Sequence, residues 1–172
     1  MFHDPAKFAF VRHLEENWEP VYREYVGIRA LLVDWVERDL YGAGWKVFGL
    51  FDFPQGQPIA ENTARCPFTA ELIQRHIPNH GAAGFSVLAP GTRIQPHVGY
   101  QGDFLRCHVG LSVPDGDCVL AVSAETRRWQ AGKALVFDDR VEHAAWNLTP
   151  IERVVLLIDF VPHELAVPAE AG

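Results

Sequence analysis

Two short stretches of the chain carry residue types suited to one metal and one anion. The first runs Pro96-His97-Val98-Gly99 and continues through Leu105-Arg106-Cys107-His108. The second runs Val136-Phe137-Asp138-Asp139-Arg140-Val141-Glu142-His143, with Arg153 further on. Each stretch supplies a histidine, and each histidine is followed by an arginine: Arg106 after His97, Arg153 after His143. Neutral imidazoles bind iron, zinc, copper or nickel. A planar guanidinium grips a carboxylate in a two-point fork. Together they suit a metal on His97 and His143 beside a clamped carboxylate ligand. Non-haem iron sites commonly add a carboxylate to two histidines and leave three positions open. In His97-Val98-Gly99 that third place falls on a glycine, which has no side chain to coordinate. Either water fills the position or another residue reaches it.

Plainer readings stand beside this one. Arg153 opens an otherwise apolar strand, Val154-Val155-Leu156-Leu157-Ile158. A buried charge needs a partner, and for Arg153 that is either a ligand or an acid of the chain. For Arg106 a salt bridge, or an aliphatic stem with its head in water, is the stronger reading. His108 lies on the same side of its strand as Arg106 and reads as a hydrogen-bonded core histidine. Ser86 is an ordinary strand serine unless it offers its hydroxyl to a carboxylate. Trp129 and Trp146 line a cleft or fill a core. Glu142 points away from His143 on a strand and reads as a solvated acid.

These residues need a scaffold that joins strands distant in sequence. The 172 residues suit one domain, with residues 1–44 as helical support and 45–165 as its β core. Phe8, Phe10, Val11 and Leu14 recur at helical spacing, as do Trp18, Val21 and Tyr22, then Ile28, Leu31, Leu32 and Trp35. Trp45 to Phe51 reads as a strand, followed by a polar loop to Cys66-Pro67. Thr69 is the expected N-cap of a short helix through Ile77, stopped by Pro78. From Gly84 onward the pattern is short strands: Phe85–Leu88, the approach to His97, Leu105–Val113, Val119–Ser123, Ala134–Phe137, His143–Leu148 and Arg153–Phe160. Pro90-Gly91, Pro114-Asp115-Gly116 and Thr149-Pro150 supply turns. The expected fold is mainly β, a jelly roll with the N-terminal helices packed on one sheet.

Composition excludes some classes of function. A hydrophobic fraction of 48% and a charged fraction of 22% are those of a globular chain. Net charge is −7 with scattered basic residues, which disfavours a nucleic-acid partner. No apolar run is long enough to span a bilayer, and no secretory signal is visible. The three cysteines include no CxxC pair, so a thiolate metal site is not expected and a cytoplasmic location is.

The ordered series Phe85-Ser86, Pro90-Gly91-Thr92, Pro96-His97-Val98-Gly99, Leu105-Arg106-Cys107-His108-Val109-Gly110-Leu111, Trp129-Gln130-Ala131-Gly132-Lys133, Phe137-Asp138-Asp139, Glu142-His143 and Trp146-Asn147 closely resembles the aspartyl/asparaginyl β-hydroxylase family. The resemblance is strong from Trp45 to Pro162 and looser over the N-terminal helices. It implies a double-stranded β-helix, a cupin-like jelly roll, with Fe(II), 2-oxoglutarate and dioxygen as cofactor and co-substrates. His97 and His143 would bind iron, and some members with glycine at the place of Gly99 use only two histidines. Arg153 would pair with the distal carboxylate of 2-oxoglutarate, with Ser86, Arg106 and His108 helping to hold it. The implied reaction hydroxylates an unactivated C–H, expected at the β-carbon of an aspartyl, asparaginyl or related amino-acid substrate, releasing succinate and CO2. One departure bears on substrate: a second arginine, used by aspartyl-residue hydroxylases of the family, is Phe104 here. Arg93 and Arg140 are the available substitutes. A free amino acid, a carrier-bound aminoacyl group or a small peptide is the expected partner. An acyl-chain hydroxylase or halogenase on the same site, and a non-catalytic jelly-roll binding module, are the alternatives. The oligomeric state stays open.

Overall fold

The computed structural model describes residues 1–162; the final stretch, including positions 163–165 of the expected β core, lies outside the described residues. Among the described residues, eleven strands and four α-helices follow in chain order: β1 (Phe2–His3), α1 (Ala9–Glu16), α2 (Trp18–Ile28), β2 (Val33–Asp34), β3 (Trp45–Phe51), α3 (Ala60–Arg65), α4 (Pro67–His76), β4 (His80–Leu88), β5 (Thr92–His97), β6 (Leu105–Ser112), β7 (Cys118–Val122), β8 (Glu125–Arg128), β9 (Ala134–Phe137), β10 (His143–Asn147) and β11 (Arg153–Phe160). They form a seven-stranded sheet, β1-β9-β6-β11-β4-β3-β2, and a four-stranded sheet, β5-β10-β7-β8. Neighbouring strands in both sheets pair antiparallel. This is the expected jelly roll.

Two cores follow from the period-2 alternation of the strands. Leu156, Ile158, Val109 and Phe85 face outward and pack under Val11, Leu14, Val21 and Tyr25 of α1 and α2, with Ile73 of α4. Val155, Leu88, Phe137 and Trp45 face inward and meet Ile94, Leu120, Val122 and Ala145 of the smaller sheet. The helices therefore cover one face of the larger sheet, and the inner face of that sheet is free to carry chemistry. Each fully buried aliphatic side chain contributes roughly 1.5–3 kcal/mol of transfer free energy.

Several local expectations change. The helical spacing of Leu31, Leu32 and Trp35 is not continued as α-helix. α2 gives way to a 3-10 turn at Arg29–Leu31 and then to β2. Trp35 N–H bonds to the carbonyl of Trp45 at 3.0 Å and its ring stacks on Trp45 at 4.9 Å, so pairing with β3 overrides helical periodicity. The loop before Cys66 contains α3. Thr69 lies inside the first turn of α4, not at its cap, and Pro67 opens the helix. Glu24 of α2 takes the free N–H groups of Phe68 and Thr69, at 3.0 and 2.7 Å, which does the work of a cap across two helices. β1 and β8 complete the sheets from segments with no strand signal of their own.

Candidate active site

His97 ends β5 and His143 begins β10, and the two are direct cross-strand partners. Their ring centroids lie 4.3 Å apart. Each ring is held the same way, by the backbone carbonyl two residues before it. Nδ1 of His97 meets Gln95 O at 2.7 Å, and Nδ1 of His143 meets Val141 O at 2.9 Å. In the neutral rings those nitrogens carry the proton, so Nε2 of each keeps its lone pair for a metal. His143 is buried, and burial pulls its pKa down to about 4, so it is neutral at pH 7.

The space beside Gly99 is filled by Asp139, from the turn that follows β9. A Cβ added at Gly99 would lie 2.8 Å from Asp139 Cγ and 2.9 Å from Asp139 O. The Gly99 N–H donates to that same carbonyl at 2.7 Å. Glycine here makes room for the Asp139 carboxylate. No cluster of three or more His, Cys, Asp or Glu side chains suited to a metal occurs among the described residues. The two imidazoles, with Nε2 of each unused, are the ligand-type side chains that this pocket brings together.

Arg106 and Arg153 share the pocket of the histidines but not their electrostatics. Arg106 is forked onto Asp159, with Nε–Oδ1 at 2.7 Å and Nη2–Oδ2 at 3.0 Å, and its Nη2 lies 3.3 Å from Asp139 Oδ2. Burial works against its charge, but the two carboxylates hold its pKa above the ordinary value. Arg153 is only 2% exposed and has no carboxylate partner among the described residues. Its Nη2 donates to Ser86 O and Oγ, both at 3.1 Å, and its guanidinium lies 4.5 Å from the Trp129 ring centroid. Its Nε–H has no partner among the described residues. Burial lowers its pKa to about 10, which still leaves a cation at pH 7.

A second orphan lies close by. His108 Nδ1 accepts the indole N–H of Trp129 at 3.2 Å, while its buried Nε2 has no partner among the described residues. Burial, then the charges of Arg153 and Arg106, push its pKa well below the ordinary value, so the ring is neutral. A neutral ring that accepts at Nδ1 must carry its proton on Nε2. His108 thus presents an unused N–H. Ser86 Oγ already accepts from Trp45 Nε1 and Arg153, which leaves its own O–H to donate. Leaving such buried donors unpaired costs about 1–3 kcal/mol each, so the arrangement is built for an acceptor supplied from outside.

One pocket gathers His97, His143, Arg106, His108, Ser86 and Arg153. The sequence-level candidates therefore converge. Other signals lead elsewhere. Glu142 is exposed, Asp138 is forked by Arg140 at 2.8 Å, and Arg93 points outward. The contributions of Trp129, Asp139 and Asp159 were not legible, because each acts through a partner distant in sequence.

Paired imidazoles and a buried cation with no carboxylate partner among the described residues line one pocket inside the jelly roll, an arrangement suited to a metal and an anion. The chain belongs to the aspartyl/asparaginyl β-hydroxylase family, whose model matches residues 15–162. It is 43% identical over 119 residues to an ornithine lipid ester-linked acyl 2-hydroxylase of Rhizobium tropici, covering 68% of this chain and 41% of that protein. It is 29% identical over 163 residues to human aspartyl/asparaginyl beta-hydroxylase, covering 90% of this chain and 21% of that one. Human aspartate beta-hydroxylase domain-containing protein 2 is 34% identical, with 87% and 43% covered. The chain thus spans less than half the length of these relatives. Among solved structures, a Pseudomonas putida prolyl-4-hydroxylase shares the fold, with a TM-score of 0.54, 16% identity and 86% of each chain covered.

Proposed function

We propose that the chain is an Fe(II)- and 2-oxoglutarate-dependent dioxygenase that hydroxylates an unactivated C–H bond. The observation that carries this reading is the set of orphaned donors, Arg153 Nε–H and His108 Nε2–H, in the same pocket as two imidazoles with free Nε2 atoms. A dianion that binds a metal through one end and a cation through the other satisfies both halves. 2-Oxoglutarate is such a dianion, and the family relationship supports it.

In this reading His97 and His143 hold Fe(II), and Asp139, in the space that Gly99 leaves, pairs with Arg106. Iron would supply dioxygen activation coupled to oxidative decarboxylation. In sum, 2-oxoglutarate, O2 and R–H become succinate, CO2 and R–OH. The protein's part is positional. Arg153, stacked on Trp129 and fixed to Ser86, receives the distal carboxylate in a water-poor site where a fixed charge counts for most. His108 and Ser86 donate to the same ligand. Arg106, neutralised by Asp159 and Asp139, braces the wall and holds Asp139 in place. The relatives' names cover aspartyl or asparaginyl and acyl substrates, and one C–H oxidation serves both.

The test is anaerobic reconstitution with Fe(II) and 2-oxoglutarate, followed by exposure to O2 and measurement of succinate. Succinate release that depends on His97, His143 and Arg153 is expected. Bound iron and 2-oxoglutarate with no turnover, coupled or uncoupled, would instead mark a binding module.

A further inference from the structure

A second, larger cavity of about 340 Å³ shares Trp45, Ser86, Arg106 and Leu157 with the metal-and-anion pocket. It lies on the inner face of the larger sheet. Its floor is small: Gly49 and Gly84 are cross-strand partners, with Ala82 beyond them. Val47, Phe51, Phe53, Ile59 and Trp35 supply apolar walls. The chain after β3 folds back, with Ile59 N–H on Leu50 O at 2.9 Å, and brings Ile59 over the floor. A Cβ at Gly49 would meet Ile59 Cδ1 at 3.2 Å. At the outer end Phe53, 52% exposed, stands edge-on to Tyr100 at 4.9 Å, just past His97 in sequence.

The charge in this chamber is already used. Its ionisable lining residues are Asp52, Arg106 and Asp159. Arg106 and Asp159 are forked together, and Asp52 is exposed. No unpaired cation in the lining is left to receive a substrate carboxylate. From Val47 to Phe51 the floor runs for four strand rises, roughly 13 Å. That is the reach of an extended chain, and exceeds a single aliphatic amino-acid side chain.

Resting on the oxygenase reading above, we propose that this chamber holds the aliphatic chain of an acyl substrate. Gly49, Ala82 and Ile59 set the depth available to that chain. The shared residues Ser86 and Arg106 connect the chamber to the metal-and-anion pocket, so the end of the chain nearest them is the end presented for oxidation. A peptide or free aspartate has no counterpart for its side-chain carboxylate here.

The experiment is displacement of a dansyl-tagged undecanoyl amide from the whole protein, reconstituted anaerobically with Fe(II) and 2-oxoglutarate. Competitors are hexanoyl-, decanoyl- and hexadecanoyl-glycine and an aspartyl-glycine dipeptide. We expect affinity to rise severalfold with each added pair of methylenes until the chamber is full, and the dipeptide not to compete. Gly49→Leu and Ala82→Phe fill the floor and should weaken the decanoyl compound tenfold or more. Phe53→Glu alters an exposed side chain, leaves folding intact, and should weaken it as well. A flat dependence on chain length, undiminished binding by Phe53→Glu, or displacement by the dipeptide would overturn the proposal. Calorimetric titration of 2-oxoglutarate in the same variants separates the two readings. Acyl affinity absent while 2-oxoglutarate binds overturns the chamber alone. Acyl binding by a protein that takes up no 2-oxoglutarate overturns the oxygenase reading, and with it the acyl chain as a substrate.

Discussion

The indole N–H of Trp129 is bonded to Nδ1 of His108 at 3.2 Å, and that bond decides which nitrogen of His108 carries the proton. The same indole ring lies under the guanidinium of Arg153. Trp129 thus orients both orphaned donors of the pocket without facing the ligand itself. We expect Trp129→Phe to keep the packing but release the tautomer of His108. Affinity for 2-oxoglutarate should fall about tenfold, or about 1.4 kcal/mol. The nitrogen NMR shifts of His108 should move with it. Unchanged shifts and affinity would show Trp129 to be packing only.

Arg153 is a buried cation without a carboxylate, so it costs the ligand-free protein stability that the ligand returns. Arg153→Met should leave the melting temperature of the ligand-free protein unchanged or raised. The same change should weaken 2-oxoglutarate by a hundredfold or more, about 3 kcal/mol. A variant that unfolds, or that binds 2-oxoglutarate normally, contradicts the assignment.

Much of this was legible in the sequence, and the failures have a common cause. His97, His143, Arg106, His108 and Ser86 lie on strands whose alternation and bounding turns are visible, and β9 and β11 begin and end where the pattern places them. β1 and β2 are two residues long and exist only because a neighbouring edge accepts them. α3 lies in a stretch without apolar periodicity. Glu24 on α4, Asp159 on Arg106 and Trp129 on His108 are pairings across the fold. Composition and spacing carry no record of them. Phe104, which stands where a second arginine was expected, has its ring against Gly81, where an added Cβ would lie 2.7 Å from it.

Gly99 and Asp139 compete for one volume. Gly99→Asp should not restore a three-ligand site. The new carboxylate would meet Asp139, costing about 1–3 kcal/mol by overpacking, with like-charge repulsion added. Combining it with Asp139→Gly should recover most of that loss. A strictly additive double-mutant cycle in denaturant unfolding would contradict the shared volume.

Acid should weaken the metal-free protein through its buried imidazoles. Burial pulls His143 from its ordinary 6.5 to about 4, and His108 is also depressed. Between those values the unfolded chain binds more protons than the folded one, so stability falls as pH drops from about 6.5 towards 4. For His143 alone the loss from pH 7 to pH 5 is about 2 kcal/mol. Urea unfolding at the two pH values should show it, and His143→Gln should flatten the difference. An equal slope in the variant would contradict a buried neutral ring.

The most direct test is an anaerobic titration of Fe(II) into the 2-oxoglutarate-saturated protein, followed through the visible charge-transfer band of the chelate. Wild type should saturate at one iron per chain. His97→Ala and His143→Ala should lose the band, and Arg153→Met should recover it only at much higher 2-oxoglutarate. The same band at the same concentrations in a protein lacking both histidines would contradict the site.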